Sequence, residues 1–166
     1  MEELQAMEIL KTAILLERRG EAFYAKVARQ TENQEIGMIF DIMAKEEKEH
    51  IRILREQFGH LTETGRFKST VLSNPEEDTV AEILSESIKT GISAASFEAA
   101  AIASAIDMEK RAIAVYSERA EKSNDAEERL LYRWLAKWEE GHCRMLSDFD
   151  RVLKEKVWND RDFWSY

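Results

Sequence analysis

"AKEEKEHIRIL" (44–54) and "AKWEEGHCRML" (136–146) stand 92 residues apart, and reading them together decides the fold. Alone, the first looks like a solvated helix face, since Lys45 to Glu49 and Arg52 give it six charges in eleven residues. Yet Glu47 and His50 are three residues apart, which on a helix puts them on one side, a turn from each other. The second stretch repeats that spacing as Glu139 and His142. Upstream, the same offset relates "AILLERRGEAFYAKVA" (13–28) to "AIDMEKRAIAVYSERA" (105–120), pairing Glu17 with Glu109 and Tyr24 with Tyr116. Aligned without gaps, 10–58 and 102–150 share 14 identities in 49 positions, too regular an agreement for chance.

The repeated segments carry helical period. Leu10, Ala13, Ile14, Glu17, Tyr24 and Ala28 follow steps of three and four, as do Phe40, Met43, Glu47, His50 and Leu54. The expected helices span about 3–30, 34–58, 97–121 and 125–156, with Ser96 as an N-cap and turns at "TEN" (31–33) and "SND" (123–125). Glu17 and Glu47 lie fifteen residues either side of Glu32, and Glu109 and Glu139 fifteen either side of Asn124. At about 1.5 Å rise per residue, each pair stands level, roughly 22 Å from its turn. Two antiparallel hairpins packed about a pseudo-two-fold axis would then gather four glutamates and two histidines at mid-height.

The chain reads as one all-α domain over 1–166: a four-helix bundle of two hairpins (about 3–58 and 97–156) and a crossover (about 59–95). Within the crossover, "GHLTETGRFKSTVLSN" reads as loop, including His60. "PEEDTVAEILSESIKTG" reads as a short helix with Asn74 as cap, Pro75 in its first turn and Gly91 as stop. A connection of that length can traverse the bundle and leave the second and third helices parallel. The tail 157–166, with Trp158, Phe163, Trp164 and Tyr166, either folds back or meets another subunit, and a homo-oligomer, a dimer before others, is expected.

Composition narrows the function. A net charge of −9 argues against nucleic acid or an anionic membrane as partner. No apolar run approaches the roughly 20 residues of a membrane span, and "MEELQAMEILK" lacks a signal-peptide pattern. The lone Cys143 excludes an internal disulfide and fits a reducing cytoplasm, the expected location.

Four carboxylates buried at one level would repel, and desolvating each costs several kcal/mol. Two divalent cations supply the compensating charge. Carboxylate and imidazole together suit iron, manganese or zinc. Glu17 with His50 would serve one ion and Glu109 with His142 the other, while Glu47 and Glu139 bridge. Tyr24 and Tyr116, two turns beyond Glu17 and Glu109, either hydrogen-bond ligand carboxylates or simply pack in the core. Glu21, one turn after Glu17 but matched by Ile113, is an additional ligand, a proton shuttle or a surface charge.

With Glu-x-x-His twice in register with Glu-x6-Tyr twice, the chain resembles the ferritin-like di-iron carboxylate superfamily, in its rubrerythrin-related branch. The resemblance covers both hairpins. It implies Glu17, Glu47, His50, Glu109, Glu139 and His142 as ligands of two iron ions. The implied activity is reduction of hydrogen peroxide or dioxygen under oxidative stress; ferroxidase-linked iron storage or detoxification is the alternative. Rubrerythrins carry an additional glutamate three residues after the third-helix ligand; here that position is Ala112, and its mate is Gly20. With one cysteine there is no paired Cys-x-x-Cys, so the implied electron donor is a separate molecule such as a rubredoxin-like protein.

Overall fold

The computed structural model describes residues 2–73 and 96–159. Four helices make up the regular structure of these residues: α1 (Glu2–Gln30), α2 (Gln34–Thr64), α3 (Phe97–Lys122) and α4 (Ala126–Asn159). The expected crossover helix between Asn74 and Gly91, and the tail aromatics Phe163, Trp164 and Tyr166, lie outside the described residues.

The starts of α2, α3 and α4 each have a chemical cause. Asn33 Oδ1 accepts the amides of Glu35 and Ile36 at 3.1 Å, satisfying donors that the first turn leaves free. Ser96 Oγ accepts from Ala99 at 3.2 Å, and Asp125 Oδ1 from Glu127 and Glu128 at 2.8 and 3.0 Å. Behind the second turn, Arg119 clamps Glu128 with two hydrogen bonds of 2.7 and 2.8 Å, and Ser123 Oγ adds a third at 2.5 Å. This buried triad locks α3 to α4.

Two helices run past their expected ends. α2 continues to Thr64 instead of stopping near 58, so His60 and Leu61 are helical. Gly59 does not end it, because the buried Leu61 anchors the next turn and Thr62 and Thr64 bond back to the carbonyls of Phe58 and His60 at 2.7 and 2.8 Å. The stop is Gly65, whose φ of 70° suits a residue without Cβ and whose N–H reaches Leu61 O at 2.8 Å. α4 extends to Asn159 and carries Trp158 on its exposed side.

The core is split into two apolar layers. One joins the end of α1 and start of α2 (Tyr24, Ile39, Phe40, Met43) to the start of α3 and end of α4 (Ile102, Leu146, Phe149). The other joins the start of α1 and end of α2 (Leu10, Leu54, Leu61) to the end of α3 and start of α4 (Tyr116, Leu131, Leu135). α2 and α3 therefore run parallel, and α1 runs antiparallel to α3. Each fully buried Leu, Ile or Phe contributes about 1.5–3 kcal/mol. That apolar burial holds together what lies between the layers, which is polar.

Candidate metal centre

Between the layers sit Glu17, Glu47, His50, Glu109, Glu139 and His142, every one buried. They form two groups, Glu17, Glu47, His50, Glu139 and Glu47, Glu109, Glu139, His142, and in each group the ligand atoms lie within 4.8 Å of one another. All six residues singled out from the repeat are brought together. Glu21 is not: it lines an outer groove over the α1–α2 seam with Arg18, Lys45 and Lys48.

The central carboxylates face both ways. Glu47 sets Oε2 3.6 Å from His50 Nδ1 and Oε1 3.4 Å from His142 Nδ1. Glu139 sets Oε1 3.3 Å from His50 Nδ1 and Oε2 3.2 Å from His142 Nδ1. Glu17 Oε2 lies 3.0 Å from His50 Nδ1, and Glu109 Oε1 3.4 Å from His142 Nδ1. Each imidazole thus points Nδ1 at three carboxylate oxygens, one from its own outer glutamate and one from each central one.

The tyrosines bond across the hairpins. Tyr24 donates to Glu109 Oε1 and Tyr116 to Glu17 Oε1. Helical side chains lean toward their own N-terminus. Tyr24 leans back toward mid-bundle, while Glu109, on the antiparallel α3, leans up to meet it. Burial, then the charge of the partner glutamate, holds both phenols well above their ordinary range, so they remain donors.

Protonation follows from the same contacts. Burial, then the neighbouring charges of Glu47 and Glu139, pushes Glu17 well up; burial and Glu139 push Glu109 up to about 9. Burial opposes charge on Glu47 and Glu139 too, but hydrogen bonds win. Those from Glu17, His142 and His50 hold Glu47 below its ordinary value, and those from His142, His50 and Glu109 do the same for Glu139. Burial disfavours the imidazolium of both histidines, yet the surrounding carboxylates raise both well above the usual value.

One atom tests the fit of a cation. Glu139 Oε1 is buried and lacks a hydrogen bond of good geometry, lying 3.3 Å from His50 Nδ1. An orphaned carboxylate oxygen flanked by further oxygens and an imidazole nitrogen fits a cation, and the mixed donors suit iron, manganese or zinc.

A cavity of about 80 Å³ reaches the cluster between α1 and α3, touching Glu17, Glu47, Glu109 and Glu139. Its walls are the small Gly20 and Ala112, with the exposed Arg19 and Arg111 on its lining. A Cβ on Gly20 would stand 3.4 Å from Glu47 Cδ, ordinary contact with nothing to spare.

Three contacts escaped the sequence. Glu46 Oε2 lies 2.7 Å from His142 Nε2, although Glu46 reads as one more charge in "KEEKE". Trp134 and Trp138, which a helical wheel rotates away from Glu139, set their rings edge-on to His50 at 5.2 and 5.5 Å. The available signal was the repeat itself, which matches Glu46 with Trp138 and so breaks its own symmetry there.

A family model described as Rubrerythrin matches residues 8–149. Comparison with curated proteins and with solved structures gave no match. Among the described residues no helix is long and apolar enough to cross a membrane.

Proposed function

The chain belongs to the rubrerythrin family, and on that premise we propose that it holds two iron ions and reduces hydrogen peroxide or dioxygen with electrons from a separate donor. The observation that carries this reading is the placement of Glu47 and Glu139, each offering one oxygen to the His50 side and one to the His142 side. Glu17 and His50 would complete one position, Glu109 and His142 the other. Bound there, an iron pair supplies two electrons to an oxidant and accepts them back from a donor.

The chain's own contribution is to hold and to exclude. Tyr116 ties down Glu17 Oε1 and leaves Oε2 facing His50, whereas Tyr24 bonds Glu109 Oε1, the oxygen that also faces His142. The apolar layers above and below keep bulk water from the site. The cavity beside Gly20 and Ala112 admits a molecule of a few heavy atoms and no larger substrate. Peroxide reduction consumes two protons with two electrons, and the phenolic hydrogens of Tyr24 and Tyr116 lie one hydrogen bond from the outer carboxylates.

Anaerobic loading with Fe(II), then addition of peroxide or dioxygen with a reductant present, tests the proposal. Turnover with either oxidant supports it; oxidation of added Fe(II) without turnover of the pair favours ferroxidase chemistry instead. Light scattering separates the alternatives further, because storage requires a hollow assembly of many copies and a dimer provides none.

A further inference from the structure

The ligands obey the repeat, but their surroundings do not. His142 Nε2, on the edge of the ring away from the cluster, meets Glu46 Oε2 at 2.7 Å, a contact buried at its histidine end and partly exposed at Glu46. A carboxylate there accepts the Nε2 hydrogen and keeps it on that nitrogen, so it is Nδ1 whose proton a metal would displace and whose lone pair would then face Glu47, Glu109 and Glu139. At the matching position, ninety-two residues on from Glu46, stands Trp138. Its ring lies 5.5 Å from His50 and 6.2 Å from His142, and its indole nitrogen is buried without a partner.

An indole nitrogen only donates, so it offers no acceptor to an imidazole N–H. Trp134, 5.2 Å from His50 at 75°, adds a second aromatic edge and no oxygen. Among the described residues no carboxylate contacts His50 Nε2. Glu17 holds the ring at Nδ1, but behind it the described residues offer aromatic packing in place of a carboxylate, and a contact between an N–H and an aromatic ring is second-order.

Resting on the di-metal reading, we infer that the two metal positions are unequal: Glu46 orients His142 and strengthens the Glu109/His142 position, while Trp138 leaves the Glu17/His50 position without that support. Glu46 is a positioning residue, acting on a metal only through His142. One ion is then resident and the other more readily exchanged. A carboxylate behind a ligating histidine is worth roughly 10–100-fold in metal affinity, and that is the separation expected.

The experiment uses cobalt(II), which binds such donors without turnover, titrated anaerobically into the full chain and followed by its visible absorption and by chelator competition. The wild type should bind two ions. His50→Ala, which keeps the Glu46-supported position, should retain one ion roughly 10–100-fold more tightly than His142→Ala. This comparison excludes simple repulsion between two like positions, which would affect both variants equally. Adding Glu46→Ala to His50→Ala should erase the difference, and Glu46→Gln, which keeps a carbonyl acceptor, should restore part of it. Glu46 is partly exposed, so neither change disturbs the core. Trp138→Glu in the His142→Ala background should tighten the remaining position, whereas Trp138→Phe should not. Equal affinities in the two histidine variants, or an affinity in His50→Ala that ignores Glu46→Ala, overturns the inference and leaves the di-metal reading standing. A wild type that takes up no cobalt overturns both.

Discussion

Loading the metal-free protein with two divalent ions should release about four protons at neutral pH. Burial, followed by neighbouring charge, leaves Glu17 and Glu109 protonated, the latter up to about pH 9. His50 and His142, ringed by carboxylates, each hold an additional proton. Glu47 and Glu139 are ionised. The metal-free cluster is therefore neutral: two negative carboxylates against two imidazoliums. Two divalent ions against four carboxylates and two neutral imidazoles are neutral as well. One neutral state replaces the other only if Glu17, Glu109, His50 and His142 each give up a proton. With four protons linked to the pair, one unit of pH changes the overall binding constant about ten-thousandfold, or about 5 kcal/mol. Calorimetric titration with zinc(II) in two buffers of different ionisation enthalpy counts the protons directly. The count should fall below four as the pH passes the Glu109 value of about 9. Release of one proton or none at pH 7 would mean that the carboxylates are already charged without metal, and the neutral-cluster reasoning would be wrong.

The metal-free protein should melt at a higher temperature near pH 5–6 than at pH 9. Glu17, Glu109, His50 and His142 bind protons more tightly folded than unfolded, so their stabilisation is complete below their unfolded values of about 4.3 and 6.5 and is lost as pH rises. Glu47 and Glu139 act in the opposite sense, stabilising above the unfolded value and losing that contribution in acid. Melting curves of chelator-treated protein that rise steadily to pH 9 would contradict this. Tyr24→Phe strips Glu109 of its donor and should retain both metals, with the His142-side ion weakened roughly 10–100-fold by chelator competition. Glu128→Ala leaves Arg119 buried and uncompensated and should cost about 3–5 kcal/mol in denaturant unfolding; a cost under about 1 kcal/mol would show that the triad does not lock the second turn. Ala112→Leu fills the cavity and should slow reoxidation of the loaded protein by peroxide while two ions remain bound, as stopped-flow absorbance and metal analysis would show.

The bundle and its polar centre were legible because they depend on spacing, which a sequence states outright. Fifteen residues either side of each turn fix the height of Glu17, Glu47, Glu109 and Glu139, and a single offset of 92 fixes their mutual register. The ends of α2 and α4 were harder to read. Gly59 looks like a stop, and only the packing of Leu61 and the back-bonding of Thr62 and Thr64 carry the helix on to Gly65. The tyrosine pairing was half legible. A glutamate seven residues back on the same helix is about 10 Å away along the axis, so the partner had to come from another helix. Which helix depends on α1 and α3 running antiparallel, with their side chains leaning toward each other.

The contacts that separate the two halves were the least legible, for a physical reason. A ligand position tolerates few residue types, because its donor atom must reach the cluster, so both copies of the repeat keep the same residue there. One step outward the requirement is only that something fill the space behind each histidine, and a carboxylate or an indole does so equally well. Glu46 and Trp138 occupy that freer position, and so do the neighbouring Ile42 and Trp134. Differences between the halves therefore accumulate in the ring around the six clustered glutamates and histidines and not among them. Such a ring can make two metal positions unequal without moving a single ligand: Glu46 fixes the proton on one imidazole through a 2.7 Å contact, and Trp134 and Trp138 only pack against the other. If the positions differ as inferred, the more exchangeable ion belongs to the half that places aromatic rings behind its histidine.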